Sequence, residues 1–258
     1  MIKTLLERWR QGHRTIDYPR TLPKLSDRFR GRPLLFPDRC GPACTACQDV
    51  CPTEAIYRDS DGLALDIGRC LFCGACQTAC PAEAIVFSDH ITMAARRRED
   101  LILRSVTPPP LLPLDDARGH LLSRSLKLRQ VSAGGCNACE ADLNVLGTVV
   151  FDLGRFGIDF TASPRHADGV VVTGPVTVNM RDALLWTWEA TPEPKVAIAV
   201  GACAIAGGPY AGFAETESGC TGLMPVDLFI PGCPPHPLTI LDGLLRLLGR
   251  QRAAERSK

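Results

Sequence analysis

Apolar and polar positions change their spacing about midway along the chain. In the second half, short apolar runs alternate with segments of helical spacing, which is the pattern of a parallel α/β sheet. The last helical segment has leucines on one face and Arg246 and Arg250 on the other. The runs that predict strands are 126–131, 158–161, 170–173, 196–200 and 226–230, and the helical leucines are Leu241, Leu244, Leu245 and Leu248.

One uncharged run, residues 196–214, is about as long as a membrane-spanning helix. Its glycines and Pro209 instead predict a buried strand at 196–200 followed by a glycine-rich loop. Charges interrupt every apolar run in the first ten residues, so no signal peptide is expected. We expect a chain in the cytoplasm that reaches a membrane through partners.

Three consecutive prolines at 108–110 favour an extended chain and mark a seam between two halves. Residues 1–32 hold nine Lys or Arg against three acidic residues, a charge that suits an acidic partner, lipid headgroups or a solvated arm. Nucleic acid is not expected, because aromatic residues are not interleaved with the basic ones. The predicted division is a basic arm (1–32), a first domain (33–103), a linker (104–124) and a second domain (125–258).

The composition departs from that of an average protein mainly in cysteine, of which the 258 residues include 13. The formal net charge is +1. A chain of this length buries a sizeable core without disulfides. In a reducing compartment, closely spaced thiols bind metal. The cysteines are therefore expected to serve chemistry.

The first eight cysteines belong to an internal repeat. Cys44, Cys47 and Cys51 recur 29 positions later as Cys73, Cys76 and Cys80, and the first members, Cys40 and Cys70, are 30 apart because the first loop has one extra residue. A C-x2-C-x2-C-x3-C-P run holds three thiolates on one cluster and sends the fourth to the other. Zinc is the alternative for paired cysteines, although zinc sites do not use the third cysteine or the crossover.

This half resembles the bacterial two-cluster ferredoxin, an α+β fold. The resemblance implies two [4Fe-4S] clusters with exchanged fourth ligands. The first would be held by Cys40, Cys44, Cys47 and Cys80, and the second by Cys70, Cys73, Cys76 and Cys51.

The second half carries four more cysteines where predicted strands end. Cys136 and Cys139 follow the first strand, Cys203 follows the strand at 196–200 and Cys233 follows the last strand. Loops at the carboxyl ends of parallel strands meet at one sheet edge. Four thiolates from three loops would thus surround one cluster, with Gly134, Gly135, Gly201 and Gly232 allowing close backbone approach.

These motifs, with their surroundings in GCNACE, SPRHAD, TGPVT, GACA and PGCPP, resemble the small subunit of membrane-bound group 4 [NiFe]-hydrogenases of the formate hydrogenlyase type. The homologous subunit of complex I is similar, but there the first two ligands are adjacent, whereas Cys136 and Cys139 have the C-x2-C spacing of hydrogenases. The resemblance implies a flavodoxin-like parallel sheet and a proximal [4Fe-4S] cluster on Cys136, Cys139, Cys203 and Cys233.

By this resemblance the chain is a fusion of two neighbouring subunits that conducts electrons through three [4Fe-4S] clusters. Implied partners are a [NiFe] large subunit, which carries the active site, membrane subunits, and a soluble electron donor or acceptor such as ferredoxin or a formate dehydrogenase. The expected location is the inner face of the cytoplasmic membrane. Two alternatives remain open: the equivalent subunit of a complex I-like complex without nickel, and a free-standing ferredoxin-like carrier.

Other polar residues have competing interpretations. Glu140 is either part of a proton path or an acid that stabilises a helix N-terminus. His166 and His236 either donate to cluster sulfur or are satisfied structural residues. Cys220 is expected to be a small buried residue outside the ligand sets, and Arg96, Arg97 and Arg98 a solvated helix face.

Overall fold

The computed structural model describes residues 2–41, 43–107, 111, 113–114 and 117–250. The proline run at 108–110 lies outside the described residues. The strands are β1 Pro33–Leu35, β2 Ile56–Asp59, β3 Gly62–Asp66, β4 Ile85–Phe87, β5 Ile102–Leu103, β6 Leu126–Ser132, β7 Ile158–Phe160, β8 Gly169–Thr173, β9 Val196–Val200 and β10 Leu228–Ile230. The helices are α1 Ile2–Gln11, α2 Ala46–Asp49, α3 Ala75–Ala79, α4 Ala117–Leu122, α5 Ala138–Val145, α6 Val178–Ala190, α7 Ala202–Ala206 and α8 Pro237–Leu247.

The second half is built on a parallel sheet of five strands in the order β10-β9-β8-β6-β7. Counted along this half, the order is 2-1-3-4-5, that of flavodoxin-like sheets. Every residue of β8 and β9 is buried, because both faces of a parallel sheet are covered. The predicted fold class is confirmed, with strand ends within two residues of those predicted.

The uncharged run at 196–214 forms β9, as predicted, but the short helix α7 occupies the first part of the predicted loop, before the 3₁₀ turn Gly208–Tyr210. Among the residues that the structure describes, no helix has both the length and the apolar composition needed to cross a membrane.

Helix α8 packs its leucines into the core, with Leu241, Leu244 and Leu245 almost fully buried. The helix begins at Pro237, and the Nδ1 atom of His236 accepts a hydrogen bond from the amide of Leu238 (3.1 Å). The prediction that Arg246 and Arg250 lie outside was wrong in part. The Nε of Arg246 donates to both carboxylate oxygens of buried Asp242 at 3.0 and 3.1 Å, and Arg250 donates to the carbonyls of Ser123 and Phe156.

The first half contains two small antiparallel sheets, β1 with β4 and β2-β3-β5. Helices α2 and α3 occur at equivalent places in the repeat. Along the chain, α2 lies between β1 and β2, and α3 lies between β3 and β4. Arg96, Arg97 and Arg98 do not form a solvated helix face. Arg98 forms a salt bridge with buried Asp66 (2.5 Å), Arg97 pairs with Asp100 (3.0 Å), and Arg96 donates to the carbonyl of Pro113 (2.9 Å).

The two halves share backbone pairing and a core. Ala95 forms an antiparallel bridge with Phe229, with hydrogen bonds of 3.0 and 2.8 Å in the two directions. One apolar cluster contains Leu65 and Met93 from the first half and Val131 and Phe229 from the second. The edge of the parallel sheet at β10 is therefore covered by the first half of the chain.

The segment predicted as a basic arm has two parts. Helix α1 has no buried residue. Beyond it, the Thr15 hydroxyl donates to the carbonyl of Val149 (2.7 Å), the amide of Ile16 donates to that of Val150 (3.0 Å), and the Tyr18 hydroxyl donates to Asp242 Oδ1 (2.7 Å). The segment is thus attached to the second half at residues 15–18, whereas Gly31 and Arg32 bond to the backbone of Ser88 and His90 in the first half.

Candidate iron-sulfur sites

The first group of thiols combines the first triplet with the cysteine that ends the second repeat. Cys47 lies on α2, and Cys80 is the residue at the carboxyl end of α3. Burial, together with the charges of Cys40, Cys80 and Cys44, raises the pKa of the Cys47 thiol. The structure therefore brings together the four cysteines that the ferredoxin resemblance implies for one site.

The second group has two buried thiols, Cys70 and Cys76, and one exposed residue, Cys73. Burial, followed by the charges of Cys76, Cys51 and Cys73, raises the pKa of Cys70 to about 12, and burial and neighbouring thiols raise the pKa of Cys76 to about 11. Cys51, Cys70, Cys73 and Cys76 line one cavity with apolar residues that include Ile56, Leu65 and Phe87. Four thiols thus face a small, largely apolar space.

The repeat also produces a local backbone feature that the sequence did not indicate, an amide that donates a hydrogen bond to sulfur. Glu54 and Glu83, the fourth residues of the two C-P-x-E-A segments, have left-handed backbone angles (φ 50° and 49°). After each turn the next amide points back at sulfur: Ala55 donates to Cys51 Sγ and Ala84 to Cys80 Sγ, both at 3.2 Å. The recurrence of C-P-x-E-A at the same offset was the signal that could have revealed it.

Arg58 on β2 is a second residue that the sequence did not indicate. Its Nη2 lies 2.8 Å from Cys40 Sγ and 2.9 Å from the carbonyl oxygen of Gly41. It therefore contacts the loop that has one residue more than the loop after Cys70. Nothing in the local pattern around Arg58 pairs it with a cysteine 18 positions earlier.

The third group lies at the carboxyl ends of the parallel strands, as predicted. Cys136 follows β6, Cys139 is in the first turn of α5, Cys203 is on α7 after β9, and Cys233 follows β10. Burial, together with the charges of Glu140, Cys203, Cys233 and Cys136, raises the pKa of Cys139. Burial and the charges of Cys233, Cys136 and Glu140 raise the pKa of Cys203 to about 11.

Two glycines keep space for sulfur in this group. A Cβ atom on Gly201, whose φ is 90°, would lie 2.6 Å from Cys139 Sγ, and one on Gly208 would lie 2.8 Å from Cys203 Sγ. The nearest neighbours of such an atom on the other expected glycines are protein groups: Thr177 for Gly134, Glu140 for Gly135 and Pro235 for Gly232. Those three positions allow close packing of loops around the thiols.

Glu140 joins α5 to two strands of the sheet. Its Oε1 accepts hydrogen bonds from the Ser132 and Thr173 hydroxyls, both at 2.6 Å, and the residue is only 5% exposed. Burial by itself raises the pKa of the Glu140 carboxyl, but these hydrogen bonds outweigh it and the pKa lies below its ordinary value. The side chain thus fixes the helix that carries Cys139.

The remaining candidates have structural surroundings. Cys220 is fully buried, which raises its pKa to about 12, and its amide donates to the carbonyl of Ala204 (2.9 Å). His236 caps α8 and packs edge-on against Phe29, with ring centroids 5.1 Å apart. His166 is an exposed residue at the end of the 3₁₀ turn Pro164–His166.

The donor sets suit iron-sulfur chemistry. Each group has four thiols, and the raised pKa values mean that a cationic centre is needed to hold them as thiolates. Across the described ranges, no three His, Cys, Asp or Glu side chains are close enough together to hold a single metal ion.

Comparisons with known proteins agree with this two-part organisation. Residues 136–247 match the family described as NADH ubiquinone oxidoreductase, 20 Kd subunit, and residues 37–84 match the 4Fe-4S dicluster domain. The chain is 41% identical over 128 residues to formate hydrogenlyase subunit 7 of Escherichia coli, a match that covers 50% of this chain and 50% of that protein. The chain thus spans half the length of this relative.

The match covers a larger share of two other relatives. The chain is 39% identical over 127 residues to the probable membrane-bound hydrogenase subunit mbhJ of Pyrococcus furiosus (49% of this chain, 76% of the relative). It is 40% identical over 116 residues to an NADH-quinone oxidoreductase subunit of Heliobacterium modesticaldum (45% and 66%). A chain in the solved structure of the membrane-bound sulfane sulfur reductase, an archaeal respiratory membrane complex, matches with 32% identity and a TM-score of 0.46 (53% and 76%).

The close approach of Gly201 to Cys139 generates a prediction. Gly201→Ala adds a methyl group 2.6 Å from the sulfur and disfavours the positive φ, so we expect a loss of about 2–4 kcal/mol in stability and a lower thermal midpoint. The matched control is Gly222→Ala, where a Cβ would meet nothing within 4 Å. Equal thermal midpoints for the two variants would contradict the packing described here.

Proposed function

From the membership of this chain in the family of hydrogenase small subunits and 20 kDa subunits of NADH ubiquinone oxidoreductase, we propose that it is the electron-transfer subunit of a membrane-associated group 4 [NiFe]-hydrogenase. The chain carries a 4Fe-4S dicluster domain in addition to the family domain. In the proposed role it conducts electrons through three [4Fe-4S] clusters to or from a nickel-iron site on a partner large subunit.

The proposed ligands are the three groups of thiols. Cys40, Cys44, Cys47 and Cys80 would hold the first cluster, Cys70, Cys73, Cys76 and Cys51 the second, and Cys136, Cys139, Cys203 and Cys233 the third. Their support is that burial and the other three thiols of the set raise the pKa of one member in each: Cys47 in the first, Cys70 in the second and Cys139 in the third. When bound, such clusters supply one-electron transfer.

One observation carries the proposal: a dicluster domain and a hydrogenase-type four-cysteine group occur in one chain. Phe72, between two cysteines of the second group, lines a cleft together with Cys233 of the third group. In addition, the charge of Cys47 in the first group raises the pKa of Cys76 in the second. This supports a series in which the second group is the intermediate.

The chain's own residues hold and shield these sites. Ile56, Leu65 and Phe87 provide an apolar lining for the second group, which limits the access of water. Hydrogen bonds from the backbone amides of Ala55, Ala84 and Phe72 to cysteine sulfur orient the thiols and favour their negative charge. Glu140 holds α5, and so Cys139, against the sheet.

The exposure of the third group supports the presence of a partner protein on its outer side. Cys136 and Cys233 are exposed, whereas Cys139 and Cys203 are partly buried. An exposed cluster would need a cover against solvent, which the large subunit would provide in the proposed complex. The same exposure argues against a free-standing carrier. The proposed location is the inner face of the cytoplasmic membrane, supported by the membrane-bound hydrogenase among the relatives.

A nickel-free, complex I-like complex is a second candidate. The chain is nearly as similar to the NADH-quinone oxidoreductase relative, at 40% identity, as to the hydrogenase relatives. The C-x2-C spacing of Cys136 and Cys139 favours the hydrogenase, and the nickel ligands would belong to the partner in either case.

The proposed ligation by Cys233 predicts how much iron is lost when that residue is replaced. Cys233→Ala should lose about four of about twelve irons per chain, because a ligand of the third cluster is removed. Cys220→Ala is the matched control and should keep the full iron and labile-sulfide content, since Cys220 lies outside the groups. Iron and sulfide analysis of anaerobically purified protein provides the measurement. Equal iron in the two variants would exclude Cys233 as a ligand, and zinc in place of iron would exclude the clusters.

The hydrogenase assignment is tested by the native complex. The chain, tagged and purified anaerobically from its own cells, should bring down a large subunit that contains nickel. Hydrogen evolution from a reduced low-potential dye should be lost in Cys139→Ala, because electrons no longer reach the partner. A co-purified large subunit without nickel, together with no hydrogen evolution or uptake, would favour the complex I-like alternative.

A further inference from the structure

Helix α1 presents an apolar stripe that no described part of the chain covers. Ile2, Leu5, Leu6 and Trp9 are spaced i, i+3, i+4 and i+7, which places them on one side of the helix. They are 77%, 66%, 50% and 83% exposed, respectively. A helix of this composition leaves a contiguous apolar surface in water, which points to an interaction surface.

Basic residues flank this stripe on both sides. At 100° per residue, Lys3 and Arg10 lie beyond one edge of the stripe and Arg8 beyond the other, while Glu7 lies on the far side and pairs with Arg10 at 3.6 Å. The helix is ten residues, about 15 Å, and so is too short to cross a bilayer. Its dimensions suit a position in the plane of a membrane surface.

The rest of the segment extends the same charge and fixes the helix. Residues 1–32 have nine basic and three acidic residues. Gly12, with φ 62°, follows the last turn of α1, and Thr15 and Ile16 bond to the backbone of Val149 and Val150. Val149 is itself 66% exposed. A surface that binds α1 would therefore also hold the second half of the chain close to it.

We propose that α1 binds the surface of an anionic lipid bilayer, with its apolar stripe among the outer acyl chains and its basic residues at the headgroup phosphates. Basic flanks on both sides of a narrow stripe, a Trp within it and a surrounding positive charge complement such a surface. A groove in a partner protein would need the stripe but not the two basic flanks. The proposal adds an attachment point to the proposed complex and requires none of its redox chemistry.

The test is sedimentation of the full anaerobically purified chain with lipid vesicles. The chain should bind vesicles containing about one-third phosphatidylglycerol and bind pure phosphatidylcholine vesicles about tenfold more weakly. Leu5→Gln combined with Trp9→Gln should reduce binding about tenfold, and so should Lys3→Gln with Arg8→Gln and Arg10→Gln. Trp186→Gln is the matched control, because Trp186 is a 68% exposed Trp on another helix, α6.

Circular dichroism and the visible absorbance of each variant should match those of the unaltered chain, since α1 has no buried residue. Equal binding to the two kinds of vesicle would overturn the proposal, as would equal binding by the stripe variant. If the chain does not bind vesicles and the stripe variant loses a co-purifying protein, the stripe binds a groove in that protein and the lipid proposal is wrong. The vesicle test does not measure hydrogen production or uptake. A failure of the lipid proposal is therefore distinguishable from a failure of the proposed function.

Arg58 carries a second inference, which rests on the proposed ligation by Cys40. The Arg58 guanidinium donates to Cys40 Sγ at 2.8 Å and to the Gly41 carbonyl at 2.9 Å. The corresponding position in the other repeat, 29 residues on, is Phe87, which has no donor side chain. In the second group, the backbone amides of Ala55 and Phe72 donate to sulfur.

We infer that Arg58 raises the reduction potential of the cluster at Cys40 relative to that of the second group. Reduction adds one electron, taken in a titration from dithionite, and the cluster with its four thiolates becomes more negative by one charge. A cation in contact with a ligand sulfur stabilises the reduced form more than the oxidised form. Arg58 is thus a positioning and tuning residue for this site.

The test is an anaerobic redox titration followed by electron paramagnetic resonance. Arg58→Gln should shift one midpoint to a more negative potential and leave the other two within the scatter of repeat titrations. Arg58→Lys, which keeps the charge, should shift the same midpoint less. The control is Arg104→Gln, because Arg104 pairs with Asp59, the neighbour of Arg58 on β2. Unchanged midpoints in both Arg58 variants, or an equal shift in the control, would overturn the inference.

Discussion

The repulsion between cysteine thiolates held close together is the constraint on which this molecule depends. Twelve of the thirteen cysteines converge in three groups, and burial together with neighbouring charge raises the pKa of a thiol in every group. Such groups are stable as thiolates only with a cationic centre among them. The loops that carry them are short, and glycine or left-handed turns bring their backbone close to sulfur. We therefore expect these loops to reach their final arrangement only when the proposed clusters bind.

Cys80 lies with the first triplet and Cys51 with the second, so in the proposed ligation each repeat completes the site of the other. Contacts between the halves extend this continuity to the third group. The Ala95–Phe229 bridge and the common apolar cluster join the dicluster domain to the parallel sheet, and Phe72 and Cys233 line one cleft. The fold thereby places the Phe72 loop of the second group beside the third group at the sheet edge, as the proposed electron transfer between them requires.

Much of the fold could be predicted from local pattern. Buried parallel strands are continuous apolar runs, so β8 and β9 were recognisable. The repeated cysteine spacings and the ends of the predicted strands indicated which thiols lie close together. The errors concern side chains whose partners the local pattern does not reveal. Arg246 was expected in solvent but bonds to Asp242 one helical turn earlier, and Arg98 was expected on a solvated helix but pairs with Asp66, 32 positions away. Arg58 was missed because its contact depends on how β2 packs against the Cys40 loop.

In the proposed function, one chain holds three clusters in series. Spin quantitation by electron paramagnetic resonance of the dithionite-reduced, anaerobically purified chain counts these clusters. Three reduced clusters should give about three S = 1/2 spins per chain, with broadening from magnetic interaction between neighbouring clusters. An integrated intensity of two spins or fewer at full reduction, in protein with full iron content, would contradict it.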